Sequence, residues 1–388
     1  MKLTDYRQPD ADALAHSQRL QEFICGEVHA NGPMPFDRFM ELALYAPGLG
    51  YYAAGSHKFG AAGDFITAPE LSSLFSRCLA NQCQQVLSLS GGSILEFGAG
   101  SGVMAADILF QLEKMDSLPE KYFILDLSPD LRQRQERTLQ SKVPGLLKRV
   151  EWLDQLPGDF DGVILANEVI DAMPVSVFKK SSEDVLEQFI DCDNNQLEVT
   201  WHQAGPGLKS AVENIEQKHG VLPDEYVSEI NARVDGWLTS LAESMNSGAV
   251  LLIDYGYTAG EYYMPERKMG TLICHYQHQA HDDPLMLVGL QDITANVDFS
   301  AVAAKAHDCG FELAGYTTQA HFLIANGIES MIMETSPEDK EKFYKVSQAV
   351  KRLMMPSEMG ERFKVLGLKK NLSLELKGFS VRDFKDRL

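Results

Sequence analysis

The sequence predicts a doubly wound α/β fold with a mostly parallel sheet, and three observations support this prediction. Short, nearly continuous apolar runs recur along the chain, as expected for strands that are covered on both faces. Helical patterns separate these runs, as they do in βαβ units. The first run also ends in a glycine-rich turn, which lies at the sheet edge where folds of this class bind ligands.

The predicted strands are short and rich in β-branched residues. In chain order they are SILEFGAG (93–100), YFILDLS (122–128), RVEWL (149–153), GVILANE (162–168) and GAVLLIDYG (248–256). Between them, SGVMAADILFQLEKM (101–115) and PDLRQRQERTLQSK (129–142) have helical spacing. Near the end of the chain, FELAGYTT (311–318) and FKVLGLKK (363–370) each predict one further strand.

Three segments depart from this alternation. Residues 1–90 have mainly helical patterns, residues 175–205 alternate around a DNN turn and predict an antiparallel meander, and residues 329–360 again have helical patterns. We therefore predict a helical N-terminal or cap region over 1–90 and a core over 91–388. Insertions in this core are expected at about 175–247 and 329–360, in preference to two independent domains.

Composition limits the classes of partner. The 388 residues include 35 basic and 55 acidic ones, a net charge of −20, which disfavours nucleic acid and anionic lipid. No window approaches the ~20 apolar residues of a membrane helix. The N-terminal stretch MKLTDYRQPDADALAH is acidic and lacks an apolar run, so neither a signal peptide nor a transit peptide is expected. We therefore predict a cytoplasmic protein without membrane insertion, and base rates make a homodimer plausible.

The six cysteines occupy positions 25, 78, 83, 192, 274 and 309 and contain no C-x-x-C pair. This spacing predicts neither a zinc ribbon nor a disulfide framework, and it is typical of a reducing compartment.

The glycine turn LEFGAGSG contains the strongest chemical signal. Gly98, Gly100 and Gly102 follow a predicted strand and begin a helix, which lets a ligand approach the backbone amides of the helix N-terminus. A dinucleotide fingerprint would be G-x-G-x-x-G, but here the third glycine comes one residue early and Val103 stands in its place. Glu96, two residues before the turn, suits a ligand that carries an ammonium group.

Two further positions complete a predicted nucleoside site. Asp126 ends the second strand, ~28 residues after the first glycine, and its carboxylate can accept both hydroxyls of a ribose. Trp152 and Leu153 end the third strand, where they either sandwich an adenine or belong to the core. Together with Glu96 and the glycines, these residues indicate a nucleoside bearing an amino acid, which describes S-adenosylmethionine.

Candidate acceptor-binding residues follow the fourth strand in ANEVIDAMPV (166–175). Glu168 and Asp171 are three residues apart, so on a first helical turn they would share a face. Alternatively, Asp171 caps the helix. Asn167 would contact the cofactor or an acceptor nitrogen. Upstream, Thr67 and Pro69 either close over the methionine end of the cofactor or begin a helix, and both roles are compatible.

The histidine-rich stretch CHYQHQAHDDP (274–284) does not have the spacing of a metal site. Its histidines are three residues apart, whereas helical ligand pairs are usually four apart and strand ligands alternate, so we predict no metal. The stretch reads as a strand, with His275 and His278 on opposite faces, followed by a turn at AHDDP.

Long blocks of the chain resemble the MidA-like methyltransferase family, from about Phe36 to about Leu368. The blocks are GDFITAPELSSLF (63–75), LEFGAGSG (95–102), ANEVIDAMPV (166–175), IDYGY (253–257), GTLICHYQHQAHDDPL (270–285), QDITANVDF (291–299), QAHFL (319–323) and EMGERFKVLGL (358–368). The family's mitochondrial member is an assembly factor of respiratory complex I that methylates arginine on a core subunit.

The resemblance implies a seven-stranded class I methyltransferase that binds S-adenosylmethionine and releases S-adenosylhomocysteine. It also implies protein arginine N-methylation, with a protein substrate that exposes an arginine. If the acceptor is a guanidinium, Glu168 and Asp171 could hold it or accept its proton.

Leu127, next to Asp126, is then expected in the cofactor site, and the histidine-rich stretch is expected to form a loop over the active site. In that loop Asp282 is a candidate for binding a cationic peptide and His278 for relaying a proton, although both residues could instead bond only to loop backbone. Asp126 stands where glutamate is expected as often, and either carboxylate can hold a ribose.

Two alternatives remain open at this point. The acceptor could be a small molecule or another type of residue, or the chain could be a non-catalytic assembly factor on a methyltransferase scaffold. A nicotinamide oxidoreductase is disfavoured by the glycine spacing.

Overall fold

A computed structural model describes residues 9–54, 67–126, 128–182, 184–336 and 338–388. The described residues form two compact units. Unit 1 consists of the described residues within Met1–Phe65, Asp171–Val234 and Tyr257–Asn296. Unit 2 consists of those within Ile66–Ile170, Asp235–Gly256 and Val297–Leu388. The division into a cap region and a core at residue 90, and the two insertions in that core, stay predictions.

The described part of the chain contains thirteen α-helices and sixteen strands. The helices are α1 (Ala11–Asn31), α2 (Phe36–Tyr45), α3 (Ala68–Leu71), α4 (Ser73–Ser90), α5 (Val103–Lys114), α6 (Pro129–Lys142), α7 (Pro206–His219), α8 (Arg233–Ser244), α9 (Ala259–Tyr262), α10 (Phe299–Asp308), α11 (Gln319–Ala325), α12 (Ile328–Met333) and α13 (Lys340–Met354). The strands are β1 (Met34–Pro35), β2 (Ser93–Phe97), β3 (Tyr122–Leu125), β4 (Val150–Leu153), β5 (Phe160–Asn167), β6 (Ser176–Lys180), β7 (Val185–Asp193), β8 (Gln196–Gln203), β9 (Val227–Ile230), β10 (Met245–Tyr257), β11 (Ile273–Tyr276), β12 (Gln279–His281), β13 (Asp292–Thr294), β14 (Val297–Asp298), β15 (Glu312–Thr318) and β16 (Phe363–Lys370).

Unit 2 is built on the predicted sheet. Its strand order is β15-β16-β10-β5-β2-β3-β4, and β14 pairs with β10. The five strands from β10 to β4 pair in parallel, whereas β16 runs antiparallel to both of its neighbours. This arrangement confirms the doubly wound, mostly parallel sheet. The strand order reverses at β2, so the carboxyl ends of β2 and β5 flank the switch point where such sheets bind ligands.

Apolar side chains on both faces hold the central strands in place. Every residue of β2 is buried, and β5 is buried at all positions except Asp161. Ile94, Val163 and Leu251 are fully buried in one cluster together with side chains of α4 and α5. Burying one such aliphatic side chain contributes about 1.5–3 kcal/mol. The near-continuous apolar runs in the sequence follow from this two-sided burial.

Unit 1 contains two smaller antiparallel sheets. In the first, β1, β7, β6 and β9 are neighbours in that order and β8 pairs with β7, which confirms the predicted meander. Asn194 and Asn195 join β7 to β8 with φ values of 50° and 62°. Asparagine tolerates this left-handed backbone, and two such residues form the type I′ turn that suits a hairpin. The second sheet has the order β12-β11-β13.

A disulfide corrects one expectation from the sequence. Cys25 on α1 is bonded to Cys192 on β7, with their Cα atoms 5.4 Å apart. The two residues are separated by 167 positions, so no local spacing could reveal the pair. The cysteine spacing predicted no disulfide framework, and it missed this single bond because the packing of α1 against the meander, and not a sequence motif, brings the two thiols together.

The C-terminal predictions are confirmed in outline. Helices α12 and α13 occupy most of the segment 329–360, and β15 and β16 lie where two strands were expected. Asp298 caps α10 by accepting hydrogen bonds from the backbone N–H groups of Ser300 and Ala301. Across the described ranges, no helix is both long and apolar enough to cross a bilayer.

Candidate active site

The glycine turn between β2 and α5 has the backbone conformation that requires glycine. Gly98, Gly100 and Gly102 have φ values of 59°, 53° and 80°, a region that residues with a Cβ rarely adopt. A Cβ on Gly102 would lie 2.8 Å from the Cα of Gln135, so this glycine lets α6 approach the turn. A Cβ on Gly100 would meet no described atom within 4 Å. Gly100 therefore borders open space at the switch point, which suits the close approach of a ligand.

Glu96 is the buried carboxyl group beneath this turn. It is 1% exposed, and the hydroxyl of Tyr122 donates a hydrogen bond to its Oε2 at 2.5 Å. Burial raises the pKa of Glu96 to about 8, against the opposing effect of the Tyr122 hydrogen bond and with a further increase from the charge of Asp126. A cationic ligand group near Glu96 would favour the ionised form of this carboxyl group. The contact of Glu96 with an ammonium group stays a prediction.

Asp126 is held in one orientation at the end of β3. Its Oδ1 accepts a hydrogen bond from the N–H of Ser128 at 3.0 Å, and its Oδ2 accepts one from the Gln135 amide at 2.8 Å. Burial raises the pKa of Asp126, while these two hydrogen bonds and the charge of Arg132 lower it. Arg132 also donates two hydrogen bonds to the Asp126 carbonyl oxygen. The predicted residue Leu127 lies outside the described residues.

Trp152 and Leu153 lie on β4, next to β3 in the sheet. The indole N–H of Trp152 donates to Oε1 of Gln135 at 2.8 Å, and Arg132 donates to the carbonyl oxygen of Leu153 at 2.8 Å. Trp152 is half-buried and packs against the unit 2 core. This position is compatible both with a contact to the adenine and with a role in the core. The sequence did not single out Gln135, although this residue lies on the helix that was predicted to follow Asp126.

The short helix α3 connects to the glycine turn through one hydrogen bond. Ser101 donates its hydroxyl to the carboxylate of Glu70. Thr67 occupies the N-cap position of α3 and Pro69 lies in its first turn, as predicted, but the Thr67 side chain makes no capping hydrogen bond. The preceding residues 55–66, which include part of the GDFITAPELS block, lie outside the described residues.

The end of β5 supplies the residues expected near the acceptor. The Asn167 side-chain amide donates to Oε1 of Glu168 at 3.1 Å, and the N–H of Glu168 donates to the carbonyl oxygen of Ile253 at 2.9 Å. Oδ1 of Asn167 is buried and accepts no hydrogen bond from the described residues. A buried oxygen of this kind is usually paired, so a ligand donor at this point would complete its bonding.

The predicted helical turn over Glu168 and Asp171 is wrong. Glu168 has a φ of 53°, in the left-handed region, and no helix begins after β5. The N–H of Ile170 instead donates to Oδ2 of Asp254, a buried residue of β10 whose Oδ1 accepts from the N–H of Tyr255. Glu168 and Asp171 therefore share no helical face, and they belong to different units. Asp254 was missed because its role depends on the pairing of β5 with β10.

The histidine-rich stretch forms a hairpin whose turn is earlier than predicted. β11 and β12 pair antiparallel, and Gln277 and His278 join them with φ values of 47° and 65°. His278 is thus an exposed turn residue and not a strand residue facing away from His275. The turn expected at AHDDP is instead occupied in part by β12, because two residues of left-handed backbone already close the hairpin.

Other residues of this stretch make local hydrogen bonds. The N–H of Asp283 donates to Nδ1 of His281, and the buried Gln291 amide donates to the carbonyl oxygens of Asp283 and Pro284. Burial lowers the pKa of both His275 and His281. Asp282 is exposed. No group of three His, Cys, Asp or Glu side chains in the described ranges is arranged to hold a metal ion.

Unit 2 brings most of the predicted cofactor residues to one edge of its sheet. The glycine turn, Asp126, the pair Trp152 and Leu153, and Asn167 all lie at or just after the carboxyl ends of β2, β3, β4 and β5. A deep carboxyl group, an oriented carboxylate, an aromatic ring and an open glycine backbone fit the parts of a nucleoside that carries an amino acid. The candidate catalytic residues Asp171, His278 and Asp282 belong to unit 1.

Comparisons with known proteins support the same cofactor. Residues 78–317 match a family model described as "Putative S-adenosyl-L-methionine-dependent methyltransferase". A crystal structure from Burkholderia thailandensis, bound to S-adenosyl-homocysteine, is 39% identical in sequence. It covers 98% of this chain and 100% of its own with a TM-score of 0.93.

Curated relatives carry a more specific name. Protein arginine methyltransferase NDUFAF7, mitochondrial, of Danio rerio is 28% identical over 89% of this chain and 86% of its own length. The Homo sapiens protein of the same name is 27% identical over 88% of this chain and 81% of its own length. These names correct the expected cytoplasmic location, because they place the relatives in mitochondria.

Proposed function

The chain belongs to the family of S-adenosyl-L-methionine-dependent methyltransferases, and we propose that it methylates an arginine guanidinium nitrogen of a partner protein. The observation that carries the proposal is Glu168, a half-buried carboxylate at the end of β5 that is hydrogen-bonded to Asn167, beside the candidate cofactor site. The names of the curated relatives support arginine as the acceptor. Following the family resemblance, the proposed partner is a subunit of respiratory complex I.

The cofactor would be held by residues of unit 2. Asp126 would accept hydrogen bonds from the ribose hydroxyls, Trp152 and Leu153 would contact the adenine, and Glu96 would face the ammonium group. Thr67 and Pro69 are proposed near the methionine end. The bound cofactor supplies an electrophilic methyl group on a sulfonium.

The protein itself would position the acceptor nitrogen and supply the charge that binds the guanidinium. Methyl transfer needs the acceptor nitrogen aligned with the methyl group, so a fixed acceptor accounts for much of the rate. A carboxylate binds the planar guanidinium fork in a defined direction. We assign this role to Glu168, which would also take the proton that the attacking nitrogen loses. The left-handed backbone and the hydrogen bond from Asn167 hold its carboxylate in place. Asp171, His278 and Asp282 are proposed to contact the substrate protein.

The test is transfer of labelled methyl groups. Complex I would be isolated from cells that lack this protein and incubated with methyl-labelled S-adenosylmethionine and the purified enzyme, and mass spectrometry would locate the label. We expect label on an arginine of one subunit with the wild type and little with Glu168→Gln. Label on another residue type would support a different acceptor. No label anywhere, despite binding of S-adenosylhomocysteine, would support the non-catalytic scaffold.

A further inference from the structure

Gln135 of α6 contacts three separate parts of the candidate cofactor site. Its side chain is fully buried. Nε2 donates to Oδ2 of Asp126 at 2.8 Å and to the carbonyl oxygen of Gly100 at 3.3 Å, while Oε1 accepts from the indole N–H of Trp152 at 2.8 Å. One amide thus connects the predicted ribose acid, the glycine turn and the predicted adenine contact.

The orientation of this amide is determined by its partners. Asp126 and Gly100 both offer oxygens, which can only accept, whereas the Trp152 indole can only donate. A flipped amide would place its oxygen against two other oxygens and its NH₂ against an N–H. Only one arrangement satisfies all three contacts, so Gln135 is both donor and acceptor at fixed positions.

Packing keeps Gln135 against the turn. A Cβ on Gly102 would lie 2.8 Å from the Gln135 Cα and 3.2 Å from its Cβ, so the absence of a side chain at Gly102 is what allows this approach. Ser128 accepts a hydrogen bond from the N–H of Leu131 at the start of the same helix, and its own N–H donates to Asp126. The start of α6 and its second turn therefore each hold one oxygen of the Asp126 carboxylate.

We propose that Gln135 is a positioning residue for the cofactor, which sets the affinity for S-adenosylmethionine by orienting the Asp126 carboxylate and by fixing Trp152 and the glycine turn around it. Nothing requires Gln135 to touch the ligand. The inference rests on the cofactor site assigned above. It goes further in naming which buried side chain makes that site a single preformed unit.

Gln135→Glu is a nearly isosteric test. The new carboxylate still accepts from Trp152, but it replaces the donor to Asp126 with a second negative charge. Hydrogen bonds to charged groups contribute enough that we expect affinity for S-adenosylhomocysteine to fall roughly ten- to hundredfold at pH 8. Two carboxylates at this distance share one proton as the pH falls. The proton restores a donor to Asp126, so the affinity of the variant should recover toward that of the wild type near pH 6.

The experiment is titration calorimetry of the full chain with S-adenosylhomocysteine between pH 6 and 8. Arg132 and Glu96 also carry charges that interact with Asp126, and both are present in the wild type and in the variant. The change of wild-type affinity with pH therefore measures their effect, and only the difference between the two proteins reports on position 135. Gln140→Glu introduces the same charge at an exposed position of α6 and should bind like the wild type at every pH. Gln135→Met lacks both donor and acceptor and should bind weakly with no recovery at low pH.

The outcomes separate the inference from the site assignment. Asp126→Asn with wild-type affinity would overturn the assigned site and the inference with it. Weakened binding by Asp126→Asn together with wild-type binding by Gln135→Glu at every pH would overturn the role of Gln135 alone. If Gln135→Glu does not fold, the neutral variant Gln135→Met provides the test. Wild-type affinity of that variant for S-adenosylhomocysteine would contradict the proposal.

Discussion

At the scale of single residues, the candidate site combines groups whose properties depend on burial. Glu96 and Asp126 are both carboxyl groups at the ends of neighbouring strands, yet the first receives one hydrogen bond from Tyr122 and the second is held by a backbone N–H and a side-chain amide. Burial raises the pKa of each, and their mutual charge adds to the increase for Glu96. Two carboxyl groups in such different surroundings can contact different parts of one ligand.

Glu96 should make the ligand-free protein less stable as the pH rises. Its folded pKa of about 8 lies above the ordinary value of 4.5, so the folded state binds the extra proton between these two values. The contribution of Glu96 to the free energy of unfolding is then fully present below pH 4.5 and is lost as the pH rises toward 8. Glu96→Gln removes this group, and we expect its free energy of unfolding to decline less over the same range. Parallel denaturant titrations of both proteins at pH 5 and pH 8 measure the difference, and equal declines would contradict the assignment.

Gly100→Ala should abolish tight cofactor binding without unfolding the protein. The added methyl group would occupy the open space beside the turn, and the left-handed backbone adds about 1 kcal/mol of strain. Gly48→Ala is the matched control, because Gly48 also has a positive φ and open space around it but lies in unit 1. Calorimetry with S-adenosylhomocysteine should show at least tenfold weaker binding for Gly100→Ala alone. Similar affinity in the two variants would place the ligand elsewhere.

Glu168→Gln should separate binding from chemistry. The amide keeps the shape of the side chain but loses its charge and its capacity to take a proton, so we expect methyl transfer to fall by roughly a hundredfold or more. Affinity for S-adenosylhomocysteine should stay within about twofold, because we assign the cofactor contacts to other residues. Single-turnover transfer of labelled methyl groups measures the first quantity. Wild-type turnover would assign the acceptor role to another residue.

At the scale of elements, the site depends on pairings between distant segments. The N–H of Ile170, after β5, donates a hydrogen bond to Asp254 of β10. The two strands are neighbours in the sheet, although these two residues are 84 positions apart. In unit 1, the disulfide between Cys25 and Cys192 joins α1 to β7 in the same way. Each connection holds two elements that sequence proximity alone would not bring together.

The disulfide should be detectable by counting thiols. Denatured but unreduced protein should react with maleimide at four of its six cysteines, and at all six after reduction. A reductant should lower the stability of the wild type by about 2–4 kcal/mol, since the bond closes a long loop. Cys309→Ser should keep this sensitivity to reductant, whereas a double Cys25→Ser and Cys192→Ser variant should not respond to it. Six reactive thiols before reduction would contradict the pairing.

At the scale of the whole molecule, the dominant property is the net charge of −20. An acidic enzyme attracts a cationic substrate and repels polyanions, which agrees with a protein substrate that presents an arginine. The homodimer expected from base rates stays a prediction, which light scattering can measure.

Salt should weaken the interaction with the proposed protein substrate more than the interaction with the cofactor. Raising the ionic strength from about 0.05 M to about 0.3 M shortens the range of the attraction, so we expect KM for an arginine-containing target peptide to rise severalfold. The affinity for S-adenosylhomocysteine is the internal control and should change little, because its contacts are short-range. A KM that is independent of salt would show that the net charge does not assist substrate binding.

The sequence by itself determined the sheet strands, the glycine turn and the positions of Asp126 and Asn167, because burial on both faces and left-handed backbone leave local marks in composition and spacing. It also predicted the meander from alternation.

Only the tertiary structure decided the disulfide, the bond from Ile170 to Asp254, and the place of Gln135 between Asp126 and Trp152. These contacts join residues that lie between 9 and 167 positions apart. Periodicity describes which way a side chain faces within its own element. Which partner it meets depends on how separate elements pack, and the burial of apolar surface in the complete fold selects that packing.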